Sequence, residues 1–225
     1  MAQNNSTANR RQFLGTLAAS AAALGVASIS NPLNALANSS SRSGLQDVDA
    51  WLDKIKGSHK QVFDAPEPRN GLPFAWAKVF MMTNNQTGTP DSDLTAVVVL
   101  RHDAIPLAME DKLWTKYNFG EFFDVKDFEG KNILTRNMFW KPKEGELPLP
   151  GMSIDELQKS GALFCVCDMA LTVNSMRIGG KMNMNPEDIK KEWVAGLLPD
   201  IQVVPSGVWA VNRAQERGCS YCFAG

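Results

Sequence analysis

The sequence predicts a three-layer α/β domain with a mainly parallel sheet of about five strands. Three observations carry this. The short apolar runs at 96–100, 162–167 and 201–204 do not alternate polar with apolar residues, so each strand needs cover on both faces, as parallel strands do. Helix start and stop signals lie between those runs. Weaker strand patterns at 60–64 and 219–223 complete an alternation of strand and helix, with crossovers that should be right-handed.

The chain opens on Asn9-Arg10-Arg11-Gln12-Phe13-Leu14, an Ala-rich stretch to Ile29 and the small-residue exit Ala35-Leu36-Ala37. Paired arginines before a weakly apolar run, lightened by Gly15, Ser20, Gly25 and Ser28 and closed by an A-x-A site, make residues 1–37 a twin-arginine signal peptide. The expectation is a bacterial protein carried by the twin-arginine translocase to the periplasm or beyond. The competing reading, an uncleaved anchor, meets the difficulty that 17 residues from Phe13 to Ile29 fall short of the about 20 strongly apolar ones that span hydrocarbon. No later stretch is long or apolar enough to cross a membrane.

Cleavage after Ala37 leaves 188 of 225 residues with 21 basic against 24 acidic side chains. That length suits one domain, read as 44–225 behind a polar linker at 38–43. A near-neutral chain with no basic cluster beyond Lys190-Lys191 excludes nucleic acid as a partner on electrostatic grounds.

Taken in order, the first strand is 60–64, short and polar, and helices are expected at 72–84 and 106–117 around the strand at 96–100. Gly88 and Pro90 make Asp91-Ser92-Asp93 a turn rather than a calcium loop, since further spaced acids are missing. Residues 118–151 break the rhythm with Phe119, Phe122, Phe123, Phe128, Phe139 and Trp140 and a Pro/Gly-rich exit. Such an insertion is a satellite core under a long loop, a lid, or a homo-oligomer interface anchored by Phe122, Phe123, Phe139 and Trp140. Ser153-Ile154-Asp155-Glu156 reads as a capping box, Asp168 opens a helix to Ile178, and Asn185-Pro186-Glu187-Asp188 supplies an N-cap, a first-turn proline and two acids. Residues 207–217 form the last helix.

Ligands of open parallel sheets bind beyond the carboxyl ends of the strands. Those ends carry Arg101-His102-Asp103, Cys167-Asp168 and Pro205-Ser206-Gly207, which should bring His102, Cys167 and Ser206 to one edge. Cys167 is the most suggestive residue, because a thiol at a helix N-terminus meets unpaired N–H groups and a positive dipole that favour the thiolate. Asp168 opposes this unless its carboxylate caps the helix. Both Cys167 and Cys165, one strand step deeper, are also plausible small core residues. His102 is a catalytic candidate or a satisfied structural residue, and His59 is expected before the first strand and exposed.

The four cysteines allow other chemistry. Cys165-x-Cys167 and Cys219-x-x-Cys222 permit a four-thiolate metal site, although zinc knuckles favour turns, and an oxidising compartment permits disulfides in three pairings. No cofactor is expected beyond that metal, and no Walker or dinucleotide glycine loop occurs.

Residues 160–171, 198–208 and 215–221 resemble the DsrE/DsrF-like family in joint order: a Gly-led strand ending in cysteine, a helix, a strand running into Ser206-Gly207-Val208, and a closing Gln-x-x-Gly-aromatic segment. Residues 97–102 resemble that family's strand ending in histidine. The resemblance implies a flavodoxin-like fold, frequent homo-oligomers, and a persulfide-carrying cysteine at Cys167, with His102 as its catalytic companion and Asp168, Ser206, Gly207 and Cys165 lining the site. It implies an exported sulfur carrier that takes sulfane sulfur from a small sulfur species or a thiol partner protein and passes it to an acceptor thiol such as Cys165 or the C-terminal pair. The rival expectation is a non-enzymatic periplasmic binding module whose cysteines hold a metal or a disulfide. The export signal, the insertion and the extra cysteines depart from the family pattern.

Overall fold

The computed structural model describes residues 48–133 and 135–225. Residues 1–37, read above as a signal peptide, and 38–43, read as a linker, lie outside the described residues. Helix α1 (Val48–Leu52) comes first, with Val48, Trp51 and Leu52 buried at helical spacing. Strand β1 (His59–Ala65) leads through a 3-10 turn at Arg69–Gly71 to α2 (Leu72–Gln86), then β2 (Leu94–Leu100). Next come a 3-10 segment (His102–Ala108) and the short helices α3 (Asp111–Tyr117), α4 (Phe119–Phe122) and α5 (Ile154–Lys159). Strand β3 (Leu163–Cys167) feeds α6 (Asp168–Met182) and α7 (Pro186–Ala195), and β4 (Ile201–Val204) feeds α8 (Gly207–Glu216) and β5 (Ser220–Phe223).

All five strands form one parallel sheet in the order β4-β3-β2-β1-β5. The chain steps from β1 to β4 across one face, where Phe74, Trp114, Leu171 and Trp193 build the larger core. To return and place β5 beside β1 with the same hand of crossover it must cross the opposite face. Helix α8 does so, burying Ala210 and Ala214 with α1 against Val62, Val97, Val99 and Cys165. The expected three-layer α/β fold is therefore the one observed.

Details of the expectation change. The short polar strand at 60–64 is an inner strand: its second half, Val62 to Ala65, is buried between β2 and β5, and only its start, including the exposed His59, reaches solvent. His59 opens the strand instead of preceding it. The helix expected at 106–117 is split: a 3-10 segment runs through Pro106 to Ala108, the backbone turns extended at Met109 and Glu110, and α3 restarts at Asp111. Ser153 does precede α5, but its hydroxyl lies 2.7 Å from both Asp155 Oδ1 and Glu156 Oε2 instead of accepting a helix N–H, so the capping box is not formed.

The insertion packs inward. Phe119 and Phe139 are fully buried and Phe123 nearly so. Phe119 stacks on Tyr117 at 5.7 Å and meets Trp193 edge-on at 5.3 Å, while Phe139 packs on Phe74 at 5.9 Å. The buried Asn137 amide ties the segment to the 3-10 turn by donating to Leu107 O at 2.7 Å and Met109 O at 3.0 Å. Phe122 lies under Arg177 and Lys181 of α6. The aromatics read as interface anchors thus serve the chain's own core, the satellite-core alternative. Phe119→Ala is expected to destabilise the domain by about 3–5 kcal/mol, as truncation of a fully buried aromatic does, with the urea midpoint as the measurement.

Candidate functional site

The strand register aligns the carboxyl ends of β2, β3 and β4. Leu100 pairs with Val166 and Cys167 with Val204, so Arg101, Cys167 and Pro205 leave the sheet side by side. Beyond this edge the neighbouring strands β3 and β4 diverge, since α6 runs to the larger core and α8 to the opposite face. Such a reversal, between two helix N-termini, is the usual ligand position in this architecture. Cys167 ends β3 at this point.

Cys167 itself is the N-cap of α6. Its backbone is extended (φ −76°, ψ 113°), and its Sγ accepts the Ala170 N–H at 3.3 Å. The Met169 N–H from the same helix and the Gly207 N–H from α8 also favour the charged sulfur. Only 6% of the residue is exposed. Burial pushes the thiol above its ordinary range, the three N–H groups pull it back, and the Asp168 charge pushes it up again. At neutral pH the resting form is the thiol, in a cradle shaped for the anion.

Ser206 caps α8, its Oγ accepting the Trp209 N–H at 3.2 Å. Gly207 is required for a close approach: a Cβ there would stand 2.6 Å from Arg101 Cβ and 2.7 Å from its Cδ. The Arg101 stem therefore lies across the first turn of α8. Its guanidinium makes a two-pronged pair with Asp64, Nε to Oδ1 at 2.6 Å and Nη2 to Oδ2 at 2.9 Å, and Tyr221 donates to Asp64 Oδ2 at 3.0 Å. Hydrogen bonding to Asp64 holds Arg101 firmly charged, and its positive charge and the Cys167 sulfur act on each other.

Asp168 does not cap the helix. Its carboxylate meets Lys190 from α7, with Nζ 2.7 Å from Oδ1 and 2.9 Å from Oδ2. His102 lies at the same sheet edge as Cys167 and Ser206, but it sits in the left-handed region (φ 50°), 65% of its side chain is exposed, and its Nδ1 is 3.3 Å from Asp103 Oδ2. The imidazole pairs with Asp103 and not with Cys167. Cys165 is fully buried one step below, and burial raises its thiol strongly.

Cys219 immediately precedes β5 and Cys222 lies within it, with β2 and β1 standing between β5 and β3. The four thiols cannot converge on one metal across that spacing, and all four are free. Among the described residues no group of three or more His, Cys, Asp or Glu side chains forms a metal-ligand set.

Four residues of this arrangement escape sequence motifs: Asp64, Arg101, Tyr221 and Lys190. A signal for two of them exists. An acid in the buried half of a strand needs a cationic partner, and Arg101 ends the adjacent strand. Lys190 and Tyr221 are brought in by helix and edge-strand packing that no local pattern encodes. Comparison with known proteins finds no matching family, no matching curated protein and no matching solved structure.

Two outcomes are expected. Gly207→Ala should displace the Arg101 stem and slow alkylation of Cys167 by about tenfold, the equivalent of one pK unit, as read by mass mapping of the modified peptide. Buried thiols raised only in the folded chain ionise first when it unfolds, so stability is full below the ordinary thiol value of about 8.5 and falls as pH climbs through the folded values. Cys219, pushed up to about 11 by burial, sets the upper part of that window. Urea midpoints measured from pH 8 to 11 should decline accordingly, and a flat profile would contradict the burial argument.

Proposed function

We propose that this chain is an exported carrier of sulfane sulfur, held as a persulfide on Cys167. The observation that carries the reading is one nearly buried sulfur that caps the N-terminus of α6, accepting the Ala170 N–H at 3.3 Å, with the charged Arg101 acting on it from the neighbouring strand end. Backbone donors at helix N-termini stabilise a sulfur anion without supplying a proton of their own to the reaction. The likeness to DsrE/DsrF-like proteins and the Arg10-Arg11 export signal support the same reading.

In the loading step the Cys167 thiol gives up its proton, Sγ attacks the terminal sulfur of a persulfide or polysulfide donor, and the donor S–S bond breaks. The departing thiolate takes a proton, so Cys167–SH and R–S–SH become Cys167–S–SH and R–SH with no net oxidation. An acceptor thiolate then attacks the outer sulfur and Cys167 leaves. The acceptor comes from outside the chain: Cys165 is sealed in the core, and Cys219 and Cys222 lie on or beside β5, with two strands between it and β3. The donor is a small sulfur species or a thiol partner protein.

Protein treated with polysulfide and weighed intact should gain increments of about 32 Da, one per sulfur atom, reversed by a thiol reductant. Cys167→Ser should abolish them. Increments persisting in that variant would overturn the assignment.

A further inference from the structure

Cys167 is followed directly by a carboxylate, an arrangement that works against a thiolate. Asp168 is nearly buried, and its negative charge pushes the neighbouring thiol up. The cradle around Cys167 would be undone by this residue were it left bare. It is not: Lys190 reaches over from α7 and spans both carboxylate oxygens, with its third contact at Thr172 Oγ1, 2.9 Å away. The Thr172 hydroxyl in turn donates to the Asp168 carbonyl at 3.0 Å, which leaves its lone pairs to the lysine. Only 19% of the Lys190 side chain and 11% of the Asp168 side chain are exposed. A pair this enclosed is screened little by water.

Nothing in the fold requires a lysine to be drawn in here. Helix α7 already docks through the fully buried Ile189 and Trp193, and its start is capped by Asn185, whose Oδ1 accepts the Glu187 N–H at 2.8 Å. Resting on the persulfide reading above, we propose that Lys190 is a positioning residue that permits thiolate formation at Cys167 by neutralising Asp168. It touches neither the sulfur nor a donor molecule; it acts through the carboxylate.

The other charges around the sulfur are accounted for from each element packed on it. From β2 comes Arg101, itself paired with Asp64 of β1 and, through Asp64, with Tyr221 of β5. From β3 itself comes Cys165, un-ionised in the core. Helix α8 offers the Gly207 N–H. Asp168 is therefore the negative charge next to Cys167 whose compensation depends on Lys190.

The test is the pH profile of Cys167 alkylation by iodoacetamide, followed on the Cys167 peptide by mass spectrometry in the full chain. Lys190→Met should move the midpoint up by about one unit, the scale of an uncompensated neighbouring charge, and slow the reaction about tenfold at a fixed pH below it. Asp168→Asn should move the midpoint down, because Lys190 then acts alone. The double variant D168N/K190M should return to within about threefold of the original rate, and Lys190→Arg should keep it. A brace with no electrostatic role would give shifts of one sign or none. Unshifted profiles, or a double variant that tracks Lys190→Met, overturn the proposal. Should Lys190→Met fail to fold, the signs for Asp168→Asn and Lys190→Arg still decide it. Because alkylation needs no sulfur donor, this result stands apart from the polysulfide experiment: a chain that loads no sulfur yet shows the signed series refutes the carrier reading alone.

Discussion

In an all-parallel sheet every strand must be followed by a crossover, and every crossover of one hand that steps in one direction occupies one face. This chain takes three such steps from β1 to β4 and then reverses to lay β5 against β1. The reversal places α8 alone with α1 on the second face. It also parts the chain at the carboxyl ends of β3 and β4, where two helices begin and run to opposite sides. The two neighbouring N-termini and the position of Cys167 at the first of them both descend from that one topological necessity.

Charge at this edge is arranged so that no carboxylate is left unpaired near the sulfur. Asp64 is held by Arg101 and Tyr221, and Asp168 by Lys190 and Thr172. Removing one partner of such an enclosed pair typically costs about 3–5 kcal/mol, more than the pair itself adds, so these contacts constrain the site more than they stabilise the fold. They bracket Cys167 from two sides, one through β1 and β2 and the other through α6 and α7. Against this background the N–H groups are free to act on the sulfur, and burial remains the main term resisting ionisation.

The aromatic insertion illustrates how the two faces differ in demand. The face covered by α8 and α1 closes with small residues such as Ala210 and Ala214. The other face carries two long crossovers, and between α2, α3 and α7 there is space that Phe119, Phe123 and Phe139 fill. The approach is close enough that a Cβ on Gly120 would fall 1.6 Å from the Ile133 carbonyl oxygen. Phe74, Tyr117 and Trp193 complete this aromatic layer from elements on either side of the insertion in sequence.

The apolar runs at 96–100, 162–167 and 201–204, the N-cap at Asn185 and the helix opening at Asp168 are local patterns, and local patterns sufficed to read the strand and helix order and to place Cys167 and Ser206 at one edge. By itself the sequence determined the fold class, the order of strands and long helices and the chemistry available at three strand ends. Tertiary structure alone decided what those ends do with it. Whether Asp168 caps a helix or opposes a thiol depends on Lys190, 22 residues on, and whether His102 faces the sulfur or solvent depends on a left-handed turn ahead of a 3-10 segment. Pairings such as Asp64 with Tyr221, 157 residues apart, arise from strand register and helix docking, which set distances between side chains that share no local periodicity.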